Sequence, residues 1–112
     1  MADRLIAQHE AALIRWMLDH AAFGDVAAFR EQPIEHLRVR EPGWCDCGCT
    51  SLDFAADHKG AKIIADATAA YPDGQKAGLI LWGKDNQITL LEVYDMHPGA
   101  SHRVPKIADL TA

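Results

Sequence analysis

All three cysteines of the chain, Cys45, Cys47 and Cys49, lie in the stretch WCDCGCT. If this stretch is extended, residues two apart project to the same side, with α-carbons about 6.6 Å apart. The sulfurs must come closer than that to share one metal ion, so the chain would have to curl, and Gly48 is the residue that permits it. Structural zinc sites usually separate paired cysteines by two to four residues and have four ligands. A metal site here would therefore need at least one ligand from elsewhere.

Two histidines near the C-terminus, His97 and His102 in HPGASH, have a spacing that suits half of a zinc site. The sequence hypothesis for a metal site thus joins Cys45, Cys47 and Cys49 to His97 and His102, with zinc as the cofactor and His58 as a further possible ligand. The alternative is that the three thiols pack as small apolar groups, because free cysteine is among the residues most often buried. A redox pair has less support, because the C-x-x-C spacing is missing.

No motif for nucleotide binding, serine hydrolysis or zinc proteolysis occurs in the chain, and no catalytic residue is assigned. His9 is predicted on the apolar face of a first helix, His20 in its last turn and His36 in an exposed strand. The carboxylates are scattered, without a pair that reads as buried. Trp44 and Trp82 lie near turns and are candidate anchors for a partner, since tryptophan is enriched at binding hot spots.

Composition narrows the class of protein. A chain of 112 residues with 49% hydrophobic residues predicts one domain spanning residues 1–112. Eleven basic and sixteen acidic residues give a net charge of −5, without a basic cluster, which argues against nucleic acid as a partner. No apolar run approaches the ~20 residues of a membrane helix, and the charged N-terminus is unlike a signal peptide. We therefore expect a cytoplasmic protein with reduced thiols and no membrane contact.

The first thirty residues predict helices. Apolar residues recur at helical spacing from Asp3 to Ala22, with Asp3 as the N-cap and Gly24 as the stop. A short second helix follows Asp25 and ends before Pro33.

The rest of the chain predicts an antiparallel sheet, because short apolar stretches alternate with turn residues. The expected strands are IEHLRVRE, SLDFAAD, AKIIADATAAY, KAGLILWG and QITLLEVYD, and the tail after them is expected to be a loop with a loose end. YPDGQ and KDNQ are the predicted turns of two consecutive hairpins. Alternation fails by one residue in ITLLEVY, which predicts a β-bulge near Leu90 or partial cover on both faces. The fold class is α+β, with N-terminal helices packed on one face of a mostly antiparallel meander of four or five strands.

The elements CDCGCTSLDF and GLILWGKDNQITLLEVYD, within residues 40–95, resemble those of small bacterial proteins that have a cysteine-glycine-cysteine element before a strand and a final hairpin ending in LEVY. The resemblance implies an α+β bacterial domain and brings no activity with it. The sequence therefore favours a small non-catalytic module that binds a protein partner or self-associates as a homo-oligomer, with the zinc site as the alternative.

Overall fold

The computed structural model describes residues 2–21, 26–41, 51–55, 57–96 and 105–111. In chain order its elements are β1 (Ala2–Leu5), α1 (Gln8–Asp19), α2 (Ala27–Arg30), β2 (Arg38–Glu41), β3 (Leu52–Asp53), β4 (Lys62–Ala70), β5 (Lys76–Lys84), β6 (Gln87–Asp95) and β7 (Leu110–Thr111), with 3₁₀ turns at Ile34–His36 and Ile107–Asp109.

The main sheet has five strands in the order β3-β6-β5-β4-β7, and every neighbouring pair is antiparallel. Its centre, β4-β5-β6, is the meander that the two predicted turns required. The α+β class and the mostly antiparallel sheet are thus confirmed. IEHLRVRE, however, does not join this sheet: Ile34–His36 is a 3₁₀ turn, and β2 pairs with β1 in a separate two-stranded sheet.

The helix predicted from Asp3 begins only at Gln8, with Ala7 as its N-cap. Residues 2–5 pair with residues 38–41, so Asp3 lies opposite Arg40 in a ladder instead of capping a helix. The apolar spacing of Leu5 and Ile6 is compatible with either structure over so short a stretch. Pairing with a distant segment decides between them.

Both predicted hairpin turns are present. In YPDGQ, the N–H of Tyr71 donates to the carbonyl of Gln75 at 2.8 Å, and Gly74 has a positive φ of 87°. In KDNQ, Asp85 and Asn86 have φ values of 52° and 63°. Positive φ at both central residues is what a two-residue type I′ hairpin turn requires, and Asp and Asn tolerate it.

Two irregularities in the ladder adjoin Trp82. Trp82 pairs with Leu90 while Gly83 pairs with Ile88, so Thr89 is the extra residue and the predicted bulge in β6 is confirmed. The register between β4 and β5 shifts after Ile63: Ile63 pairs with Trp82 and Ala65 with Leu81, so that Ile64 is the extra residue in β4. Strict alternation along β4 would place Ile63 on the same face as the buried Ala65, Ala67 and Ala69. The shift turns it away and leaves it 43% exposed, while Ile64 is buried.

One face of the sheet contributes to the hydrophobic core. Leu79, Leu81 and Leu91 are almost completely buried and belong to the same cluster as Leu13 and Ile14 of α1. The opposite face, called the outer face below, is defined by the alternate residues and their register partners: Asp53, Ile63, Asp66, Thr68, Ala70, Lys76, Gly78, Ile80, Trp82, Lys84, Leu90, Glu92 and Tyr94.

The tail is more ordered than predicted. β7 pairs with Thr68 and Ala69 of β4, and Leu110 is buried in the core, so the end of the chain is not loose at these residues. Among the helices in the described part of the chain, none has the length and apolar character needed to cross a membrane.

Candidate functional site

The predicted metal ligands Cys45, Cys47, Cys49, His97 and His102 lie outside the described residues, as do Trp44, Gly24 and Asp25. His58, the further ligand considered, is described, and it leads to the clearest polar arrangement on the outer face.

Asp53 is the central residue of this arrangement. Its register opposite Leu90 places it on the outer face, yet it is only 5% exposed. Its Oδ1 lies 2.7 Å from Nε2 of His58 and accepts a hydrogen bond from the N–H of Ala55 at 3.2 Å. Nε of Arg40 approaches Oδ2 at 3.8 Å. The buried carboxylate is therefore compensated by an imidazole, a guanidinium and a backbone donor.

A tight turn brings His58 back to Asp53. The N–H of Lys59 donates to Asp57 at 2.9 Å, and the N–H of Ala61 donates to the carbonyl of His58 at 3.1 Å. Gly60 occupies the left-handed region at φ 82°, where glycine carries no Cβ penalty. The backbone hydrogen bond from Lys59, followed by the charge of Lys84, lowers the pKa of the exposed Asp57 carboxyl.

A pocket of about 190 Å³ opens beside the Asp53–His58 pair. It is lined by His58, Ala61, Trp82, Leu90 and Glu92. Nε1–H of Trp82 donates to Oε1 of Glu92 at 3.1 Å, across the β5–β6 ladder. The pocket thus combines apolar walls with the carboxylate of Glu92 and the imidazole of His58, which Asp53 orients.

An aspartate that orients a histidine through one ring nitrogen leaves the other nitrogen for a ligand or a proton. Here Nδ1 of His58 is buried, and no hydrogen-bond partner for it occurs in the described residues. No hydroxyl group of those residues is hydrogen bonded to the His58 ring, so they do not pair His58 with a hydroxyl nucleophile. Nor do the described residues contain a group of three His, Cys, Asp or Glu side chains placed to hold a metal ion.

The other histidines that the structure describes are His9, His20 and His36. His9 was predicted on the apolar face of α1 but is exposed. The buried face of the helix consists instead of Glu10, Ala11, Leu13, Ile14, Met17 and Leu18. His20 follows α1, stacks on Trp16 with ring centroids 4.0 Å apart, and its Nδ1 lies 2.8 Å from the Trp16 carbonyl oxygen. His36 is exposed as predicted, although in a 3₁₀ turn.

Sequence reasoning missed Asp53 and Glu92 as members of a site. In the sequence both belong to the scattered carboxylates, yet Asp53 ends β3 and Glu92 lies within β6, each next to apolar residues, in SLDF and LLEVY. An acidic residue at a position that alternates with buried ones was the available signal, although by itself it is also typical of an exposed strand face.

Comparison of the chain with protein-family models, with curated proteins and with solved structures finds no match.

Proposed function

We propose that the protein is a small non-catalytic module that binds another protein through the outer face of its sheet. The observation that carries the proposal is a group of four exposed or partly exposed apolar side chains on this face. Ile63 is 43% exposed and Tyr94 is 41% exposed, with the partly exposed Ile80 and Trp82 between them in the ladder. Contiguous apolar side chains on a surface are typical of binding sites, whereas scattered ones are not.

The proposal requires that the helices cover only the core face. Support comes from Gly83, which is in phase with Leu79 and Leu81: a Cβ atom on it would lie 2.6 Å from the Phe29 ring of α2. The buried apolar residues of α1 also belong to the cluster that includes Leu79 and Leu81. An outer face left open by the helices is then available to a partner.

Trp82 and Tyr94, the two aromatic residues of the outer face, are also suitable anchors for a partner. Trp82 is held by its hydrogen bond to Glu92, so that binding would cost little further ordering of its side chain. Tyr94 covers Gly78, whose missing side chain makes room for the ring. Aromatic side chains are typical of binding hot spots.

Photo-cross-linking tests the proposal with a matched pair of positions. Ile63 on the outer face and Ile107 near α1 are 43% and 44% exposed. We would replace each in turn with p-benzoylphenylalanine in the full chain, produced in the source cells. We expect a defined adduct from position 63 that position 107 does not give. Reassembly of that complex from purified components should fail when Ile63→Asp is introduced.

An adduct of twice the chain mass from position 63 would identify the partner as a second copy. Identical adducts from both positions, or none from position 63, would contradict docking on this face. Because Ile63 is exposed, the aspartate variant is expected to fold, and its circular dichroism spectrum and melting temperature provide the check.

A zinc site on Cys45, Cys47 and Cys49, completed by His97, His102 or His58, is the second candidate function. His58 supports it, since zinc-binding histidines usually face a carboxylate with the other ring nitrogen, as Nε2 of His58 faces Asp53. We expect near-stoichiometric zinc in protein purified without a histidine tag, and a lower melting temperature after chelation. Metal-free protein whose thiols become reactive only on unfolding would contradict this candidate.

A further inference from the structure

We propose that the pocket beside His58, Trp82 and Glu92 receives one lysine or arginine side chain of the protein that docks on the outer face. This inference rests on the proposed function, because the outer face must be the docking surface for a partner side chain to enter.

The size of the pocket fits one side chain. Sites for drug-sized ligands usually enclose about 300–1,000 Å³, whereas this pocket encloses about 190 Å³. It is also continuous with the docking surface, since Trp82 is one of its walls and lies opposite Ile63 in the ladder. A group carried by a docked protein can therefore reach it.

The charge of the pocket favours a cation. Glu92 uses Oε1 to accept the indole hydrogen bond, and within the described residues it has no ion-pair partner. Lys84, on the same face, is engaged elsewhere: its Nζ donates to the Lys59 carbonyl at 2.9 Å and lies 3.6 Å from Asp57. Arg40 approaches Asp53 instead. The Glu92 carboxylate therefore remains available for a charge-assisted hydrogen bond.

The walls suit the rest of such a side chain. The indole of Trp82 can attract a cation placed over its ring. Leu90 and Ala61 present apolar surface against which the methylene groups of lysine or arginine can pack. A neutral planar group of the same size would gain the packing without the electrostatic attraction.

Charge also distinguishes a basic partner from a second copy of the chain. Asp66, Ile80 and Glu92 form one row across β4, β5 and β6, so a carboxylate stands on each side of the central Ile80. A two-fold contact centred there would bring four carboxylates together. With a net charge of −5, the chain is complementary to a basic protein instead.

A titration with side-chain analogues tests the pocket without the partner. The probes are n-butylguanidinium and, as its neutral planar counterpart, N-butylurea. The readout is the indole N–H resonance of Trp82 in the NMR spectrum, assigned with Trp82→Phe. We expect a saturable shift with n-butylguanidinium and little or none with N-butylurea.

Variants of the carboxylate make the test specific. Glu92→Gln keeps an acceptor for the indole N–H but removes the charge, and we expect binding of n-butylguanidinium to weaken about tenfold or more. Glu31→Gln, at an exposed residue after α2, should leave the affinity unchanged. Equal shifts with both probes, no saturable shift, or undiminished affinity in Glu92→Gln would overturn the proposal.

The two proposals can fail separately. Outer-face cross-links without probe binding would refute the pocket and leave docking standing. Probe binding without cross-links from position 63 would refute docking, and with it the assignment of the cation to a partner protein.

Discussion

Glu10 is buried at the start of α1, with 4% of its surface exposed. Its Oε1 accepts hydrogen bonds from Nη1 of Arg4 and from the N–H of Ala7, and its Oε2 accepts one from Nη2 of Arg4, all at 2.8 Å. One side chain thus caps the helix and ties it to β1. We expect Glu10→Gln to lower the free energy of unfolding by about 1–3 kcal/mol, the usual cost of disturbing a buried hydrogen-bonded group, as measured by urea denaturation at neutral pH.

The same carboxylate makes stability depend on pH. Burial raises the pKa of Glu10, but the hydrogen bonds from Arg4 and Ala7 outweigh this and hold its pKa below 4.5. A lowered folded-state pKa contributes stability that is complete well above 4.5 and is lost as the pH falls through the folded value. The difference between wild type and Glu10→Gln should therefore shrink in acid. A difference that stays constant down to acid unfolding would contradict this account.

Glu35 provides the exposed comparison. Its carboxylate receives hydrogen bonds of 2.7 and 2.6 Å from Arg15, and these lower its pKa to about 2. Both side chains are largely in solvent, where ion pairs contribute little. Glu35→Gln should accordingly change stability less than Glu10→Gln, with the same direction of pH dependence.

At the scale of elements, two glycines of β5 make space for aromatic rings on opposite faces of the sheet. A Cβ atom at Gly83 would lie 2.6 Å from Cε1 of Phe29 and 2.9 Å from the backbone oxygen of Gln87. A Cβ atom at Gly78 would meet the ring of Tyr94, which is 41% exposed. The first contact involves the core and a backbone that cannot move away, whereas the second involves a ring that can swing toward solvent.

We therefore expect Gly83→Ala to cost about 1–3 kcal/mol, as overpacking of a core usually does, and Gly78→Ala to cost less. Urea unfolding of both variants measures the difference in their free energies of unfolding, provided that the dependence of that free energy on urea concentration has the same slope in both. A larger cost at Gly78 would mean that Tyr94 is held in place more firmly than its exposure indicates.

Local turn chemistry explains which elements could be predicted. YPDGQ and KDNQ specify their own backbone geometry, so the meander followed from a few adjacent residues. The slipped alternation in ITLLEVY likewise predicted either a bulge near Leu90 or partial cover of both faces, and the register shows a bulge at Thr89. The start of α1 and the position of β2 could not be predicted, because both depend on pairing between Asp3 and Arg40, which are far apart in sequence.

The candidate site depends still more on the whole molecule. Asp53, His58, Trp82 and Glu92 come from β3, a turn, β5 and β6, and only the order β3-β6-β5 brings them together. No spacing rule connects them, unlike the cysteine stretch, whose pattern is visible at once. Trp82 was predicted as an anchor from its position near a turn, while its neighbours could be recognised only from the register.

The central meander also bears on the order in which the chain can fold. β4, β5 and β6 follow one another through short turns, and contacts between near neighbours in sequence form with the least loss of chain entropy. β7 and the β1–β2 ribbon must wait for distant segments to meet, and β3 must find β6 across almost forty residues. The pocket needs β3 and the turn at His58, so it is completed late. The docking surface proposed on β4, β5 and β6 can therefore form before the proposed cation pocket, which requires the completed fold.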